Sequence, residues 1–493
     1  MTAAGLVIAG ASRRPARWGL RLLLGLALLA IAAAPAWAHA AEKAFVLLLP
    51  TRYYIVGGTF AVAASFLLLL LVPSSALRRI LSARVDLGPL PRISATATSA
   101  GAFVLLVLLL ATGWLGSRDP LENPLPLTVW TLWWGGLTLT HALFGNLWAL
   151  LNPWIAPCRL VRHLFNGPGS TEQPLLTYPA WFGYGPAILG SLAFAWFELV
   201  DPAPDDPARL ALAAAVYSGI TLTGMLLFGE RAWLSKAECF SVFFGFVALL
   251  APFRVESLDP ARPGRRRLYL TCPGASLAMR DALPMSGVLF VLLTLASVSF
   301  DGLSETFWWL GLGGINPLEF PGRSAVVGRN SLGLVVLWAG LVLAYGLAIA
   351  AGHQLAGGPA RLKACLGAFV LSILPISIGY HLAHYLTAFL VNMQYAVLAI
   401  SDPFAKGWDL LGRGRPEVTV SFLSNFDAVS VIWKLQAGAV VLVHVMAVML
   451  AHAIAVERYG TTRAAIASQL PLAALMIGYT LFGLWLLSTP TAG

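Results

Sequence analysis

Charge is scarce in this chain of 493 residues: Asp, Glu, Lys and Arg together make up 11%. A soluble domain carries about 25%, so the deficit excludes an ordinary water-soluble globule. Cysteine is scarce as well. Cys158, Cys239, Cys272 and Cys365 show neither paired spacing nor a metal-ligand pattern, which excludes a disulfide framework or a zinc ribbon and leaves four free thiols. No internal repeat is visible, so an inverted-repeat transporter receives no support. Neither a Gly-x-Ser-x-Gly elbow nor a Ser-His-Asp order occurs, which argues against a serine hydrolase.

What the chain has instead is apolar length, with 58% hydrophobic residues. Runs of about 20 apolar residues suffice to cross a bilayer. Ten are predicted, at roughly 53–72, 98–116, 127–150, 181–200, 209–229, 284–300, 331–352, 364–390, 432–456 and 466–488. The expected fold is an all-α, polytopic transmembrane helical bundle whose first partner is the lipid bilayer. The net charge of +10 does not imply nucleic acid, because the basic residues fall in short loops where they set orientation.

Residues 1–38 have the form of a cleavable secretory signal: Arg13, Arg14, Arg17 and Arg21, then LLLGLALLAIAAA, then Pro35-Ala36-Trp37-Ala38. Cleavage would leave His39 as the mature N-terminus. The remainder, 39–493, reads as one transmembrane domain. With Tyr53 outside, the loop carrying Arg78, Arg79, Arg84 and Arg92 falls inside, and acidic 117–126 and 201–206 fall outside. Segment 239–253 is short for a span and has basic residues on both flanks. It is expected to be re-entrant or interfacial, giving ten spans in a bacterial inner membrane with both mature termini periplasmic.

This frame places loops 301–330 and 401–430 in the periplasm. At ~30 residues each they are long enough to be functional. Nine tryptophans lie at or beyond the outer span ends (Trp114, Trp130, Trp133, Trp134, Trp196, Trp308, Trp309, Trp408, Trp433). That exceeds what an interfacial belt requires, so some are expected to line a pocket.

Ionisable groups in spans are functional candidates by default. His381 and His384 stand one turn apart in an apolar helix, followed by Asp402, Trp408 and Asp409. His384, Asp301, His444 and His39 are the candidate metal ligands; His381, Asp402 and Asp409 are the candidate catalytic groups. An N-terminal histidine offers its amine and its ring nitrogen to one divalent metal, copper by preference or zinc. Each candidate also has a plainer role. His141, His353 and His452 fit interhelical hydrogen bonds, His163 a solvated position, and Asp301 and Asp402 turn signals.

Several stretches together resemble the fenitrothion hydrolase-like bacterial integral membrane proteins. They are Ala38-His39, WWGGLTLTHALFGNLWALLNPW at 133–154, FSVFFGFVALLAP after Gly229-Glu230, SVSFDG at 297–302, AHY at 383–385 and SDPFAKGWDLLG at 401–412. Trp433, Gln436, His444 and His452 complete the set. The resemblance implies hydrolysis of a hydrophobic phosphotriester or ester at the periplasmic face, with a hydrophobic small molecule as substrate. A bound metal would lower the pKa of an attacking water. Alternatives are a copper-binding or redox protein using His39 with a periplasmic redox partner, a haem b protein using His384 and His444, and a transporter.

Overall fold

The computed structural model describes residues 50–69, 72–91, 93–166, 174–257, 266–320, 322–358, 361–412, 414 and 417–490. Residues 1–38, where a signal segment is expected, and His39 lie outside the described residues. The architecture is an α-helical bundle. Its principal elements are α1 (Thr51–Leu69), α2 (Ser74–Ser82), β1 (Arg84–Leu90) and α3 (Ala95–Leu115). A π-helix (Leu127–Leu137) then runs into α4 (Thr138–Phe144), followed by α5 (Ile155–Asn166), α6 (Gly185–Leu199), α7 (Pro207–Phe228), α8 (Glu230–Lys236) and α9 (Cys239–Val247). The second half holds β2 (Phe253–Ser257), β3 (Arg266–Thr271), α10 (Met285–Ser304), α11 (Val327–Leu355), α12 (Leu362–Phe369), α13 (Leu374–Ser401), α14 (Phe426–Tyr459) and α15 (Thr462–Ser488).

Among the described residues, eight helices are long and apolar enough to cross a membrane: α1, α3, α7, α10, α11, α12 with α13, α14 and α15. The chain is a multi-pass membrane protein. Two of the ten expected spans are less regular. The segment from 127 is π-helical before it becomes α-helical, and α6 has 15 residues. The centre of the bundle is α10 and α12–α13, whose most apolar windows are 67% and 78% buried, against 11% for α3.

Lipid tails are as apolar as Leu, so helices associate here through close packing rather than hydrophobic burial. Glycines permit the closest approaches. A Cβ at Gly352 would lie 2.0 Å from the Ser468 carbonyl oxygen, and one at Gly483 would lie 1.1 Å from the Tyr380 hydroxyl. The 3-10 turn Val370–Ser372 separates α12 from α13. Pro375 enters at the start of α13, where its missing N–H costs least.

A small sheet modifies the all-α expectation. β1, β3 and β2 pair antiparallel in that order, tied by Arg267–Asp86 (2.7 Å) and Arg84–Glu256 (3.0 Å), with Arg254–Glu256 (3.1 Å) within β2. The strands Arg84–Leu90, Phe253–Ser257 and Arg266–Thr271, with their arginines, are therefore on one side. Arg159 holds α8 at that same end, bonding Glu230 at 2.7 Å and Thr96, at the start of α3, at 2.7 Å. The α8–α9 pair bends by 65° between its helices and leads straight into β2. Both of its ends thus meet the sheet end of the bundle. At the opposite end Arg118 pairs with Asp206 (2.8 Å) and Arg209 with Asp201 (2.6 Å).

Candidate functional site

Three helices present polar stripes to one another in the centre of the bundle. On α6, Ser191 and Glu198 are seven residues apart, which puts them on one face two turns from each other. On α10, Thr294, Ser297 and Asp301 follow at i, i+3 and i+7. On α13, Ser377, His381 and Tyr385 follow at i, i+4 and i+8. All eight line a cavity of about 30 Å³, whose other walls are aromatic and aliphatic.

At the far end of this cavity the ionisable groups converge. His384 Nε2 lies 2.9 Å from Asp301 Oδ2. The Tyr385 hydroxyl lies 2.8 Å from the same Asp301 oxygen and 2.6 Å from Glu198 Oε1. A phenol has one proton to donate. For Tyr385 to hydrogen-bond both carboxyl groups, one of them must carry a proton and donate it back. The phenol thereby bridges Glu198 and Asp301. Glu305, one residue past α10, is pushed above the ordinary carboxylate range by burial and by the neighbouring Asp301 charge. Arg323 donates to the Glu198 carbonyl at 2.7 Å, closing the cluster on the loop side.

His381 reaches across to the π-helix. Its Nε2–H donates to the Trp134 carbonyl at 2.9 Å, which also accepts from the Thr138 hydroxyl at 2.6 Å. The wider π-helical turn leaves that carbonyl open to side chains, and such turns recur at functional sites. Trp134 packs edge-on to His381, with ring centres 4.6 Å apart, and against Phe194 at 4.7 Å. Trp133 meets Phe240 at 4.4 Å. These two tryptophans belong to an aromatic wall around the site, whereas Trp114, Trp308 and Trp408 are exposed.

A second cavity, about 140 Å³, lies between the π-helix, α13 and α14. Leu139, Leu382, Leu386, Phe389 and Leu435 make it apolar, with His381, Tyr385 and Gln436 in its wall. His381 and Tyr385 thus separate an apolar pocket from the polar one. Leu435 is 60% exposed on the outer surface of the bundle, so this cavity opens sideways.

The other sequence candidates lie elsewhere. His444 bonds the Val440 carbonyl through Nδ1 (2.8 Å) and packs on Tyr380, while its buried Nε2 has no hydrogen-bond partner among the described residues. Asp402 accepts from the backbone N–H groups of Lys406 and Gly407 (2.8 and 2.7 Å), and Asp409 from Ser401 and Gly414; both organise the 401–412 turn. His141 bridges the Leu137 carbonyl and the Trp148 N–H, His353 meets Tyr459, and His452 meets Gln469. His163 is exposed.

Among the described residues no group of three or more His, Cys, Asp or Glu is arranged to hold a metal ion. Among the described residues, Asp301 and His384 are the candidate ligands brought together, and they bond each other directly. A metal would need a third donor from outside these residues. Tyr385 was not legible as a site residue, although its position one residue after His384 and eight after Ser377 carries the signal. In comparisons with protein families, curated proteins and solved structures, the chain matches none.

Proposed function

We propose that this protein is a membrane-embedded hydrolase of apolar esters or phosphotriesters. The observation that carries the reading is the His384–Asp301 pair, partly open to solvent and set beside Tyr385 at the boundary of an apolar cavity. His384 is 31% exposed and Asp301 11%. Asp301 fixes the imidazole so that its other nitrogen can take a proton from water, as a carboxylate does for a histidine base. Tyr385 supplies a phenolic donor for negative charge developing on the substrate oxygen. The apolar cavity suits a substrate that partitions into lipid and enters sideways. The sequence resemblance to fenitrothion hydrolase-like proteins supports the same reaction class.

The same reading takes the membrane frame further. The eight long helices, the segment from 127 and α6 make ten spans, with α8–α9 re-entrant. The basic sheet end faces the cytoplasm of a bacterial inner membrane, and the His384 end faces the periplasm.

Turnover of a chromogenic, lipophilic ester and phosphotriester by purified protein in nanodiscs tests the reaction. His384→Gln, which cannot act as a base, is expected to lower kcat by ~10²–10⁴-fold with the protein still folded. Full turnover in that variant would refute the assignment.

A further inference from the structure

Hydrolysis at the His384 end makes no use of a second buried acid. Glu238 sits in the bend between α8 and α9 and is 1% exposed. Its carboxyl group caps α9, accepting from the N–H groups of Phe240 (2.9 Å) and Ser241 (2.6 Å). It also accepts from the Tyr217 hydroxyl. Those are neutral donors. Helix caps are ordinarily Ser, Thr, Asp or Asn, and an ionisable group at this depth is a functional candidate.

We propose that a proton path crosses the bundle between Glu238 and the Glu198–Tyr385–Asp301–His384 cluster, through the small cavity lined by Ser191, Thr294, Ser297 and Ser377. The links can be followed group by group. Tyr217 bonds Glu238 and lies 3.2 Å from the Cys239 sulfur. Ser191 approaches that same thiol and is the first polar residue of the cavity wall. The cavity, at about 30 Å³, has room for about two waters, and polar walls are what hold water in an interior. Ser377 donates to Thr294 Oγ1 at 3.0 Å, joining α13 to α10 across it. Glu198, Asp301 and Tyr385 line its other end.

Depth favours the route. Helix α8 has seven residues, about 10 Å at 1.5 Å each, so Glu238 lies about that far in from the sheet end. Ser191 and Glu198 are seven residues apart on α6, again about 10 Å. The two acids and the water-sized space between them thus divide the bundle into short steps. Each step is an exchange: a hydroxyl, thiol or water accepts one proton and releases another, so one proton is displaced in total and no other bond changes. Glu305 and Arg323 are the charged groups flanking the far terminus. The path is independent of the hydrolytic reading, because it requires no substrate.

The full-length protein in liposomes, with a pH-sensitive dye inside and a potassium diffusion potential imposed by valinomycin, tests it. Wild-type vesicles are expected to acidify well above protein-free vesicles. Glu238→Gln should cut the flux at least tenfold. Ser377→Val, which keeps every carboxyl group and takes a hydroxyl out of the cavity wall, should do the same. Melting curves and elution profiles establish that each variant is folded, and if Glu238→Gln does not fold, Ser377→Val decides alone. Wild-type flux no greater than that of empty vesicles overturns the proposal. So does wild-type flux in either folded variant.

Discussion

His384 and Asp301 stand 83 residues apart in sequence, on different helices, and their side chains meet at 2.9 Å. Asp301 lies three residues before the end of α10, whereas His384 lies near the middle of α13, which runs on to Ser401. One helix ending beside another's midpoint creates the space in which a carboxylate, an imidazole and a phenol can share protons away from bulk water.

Because Asp301 orients His384, removing its charge should impair chemistry more than binding. Asp301→Asn is expected to lower kcat by ~10²-fold or more while KM changes little, and Tyr385→Phe to lower it by on the order of 10²-fold. Steady-state kinetics on a lipophilic ester checks both. A rise in KM with unchanged kcat would place these residues in binding instead.

Glu305 gives a prediction in pH. Its carboxyl group holds its proton more tightly in the folded protein than in the unfolded chain. Its contribution to stability is therefore complete below the unfolded value of about 4.3 and is lost as pH rises through the raised folded value. Glu305→Gln, permanently neutral, should melt higher than the parent at pH 8, and the gap should close by about pH 4. A gap that widened on acidification would reverse the sign and refute the account.

Close packing gives another. A methyl group at Gly483 would fall on the Tyr380 hydroxyl, which donates to the Tyr479 carbonyl at 2.9 Å. Gly483→Ala should cost about 1–3 kcal/mol, the usual range for overpacking, read as a lower melting temperature. Pairing it with Tyr380→Phe, which removes the blocking oxygen, should recover part of the loss.

The sheet can be tested by labelling. Leu87 and Val255 are exposed on β1 and β2, and Leu318 is 81% exposed in the 301–330 loop. Single cysteines at Leu87 and Val255 should resist a membrane-impermeant thiol reagent in intact spheroplasts and react after permeabilisation. A cysteine at Leu318 should react in both. Opposite behaviour of Leu87 and Val255 would break the sheet.

The spans were readable in the sequence because each is a local property of about 20 residues, and α10 and α14 lie close to where apolar length put them. Long-range pairing was not. β1 reads RVDLGPL, with a Gly and a Pro inside it, and its partner β3 lies about 180 residues downstream. The expected end of the eighth stretch near 390 also moved, since α13 continues through Asn392 and Gln394 to Ser401. Gln394 exchanges hydrogen bonds with Thr419 (3.0 and 2.9 Å), which satisfies its amide at the helix surface. In the site, ionisable residues were conspicuous singly. The stripe of Ser191, Thr294, Ser297 and Ser377 was not, because a hydroxyl in an apolar helix usually only bonds its own backbone.

The order of strands in the sheet also bears on how the chain is made. β1 leaves the ribosome early, yet the strand it pairs with directly is β3, and β2 reaches it only through β3. At about 5–20 residues per second, the interval between the synthesis of Leu90 and that of Thr271 is roughly 10–40 s. During that time the strand between α1 and α3 has no partner, and only when β3 emerges is it joined to the strand that follows α9. The sheet is therefore a late-closing element, complete only after α8 and α9 have been made.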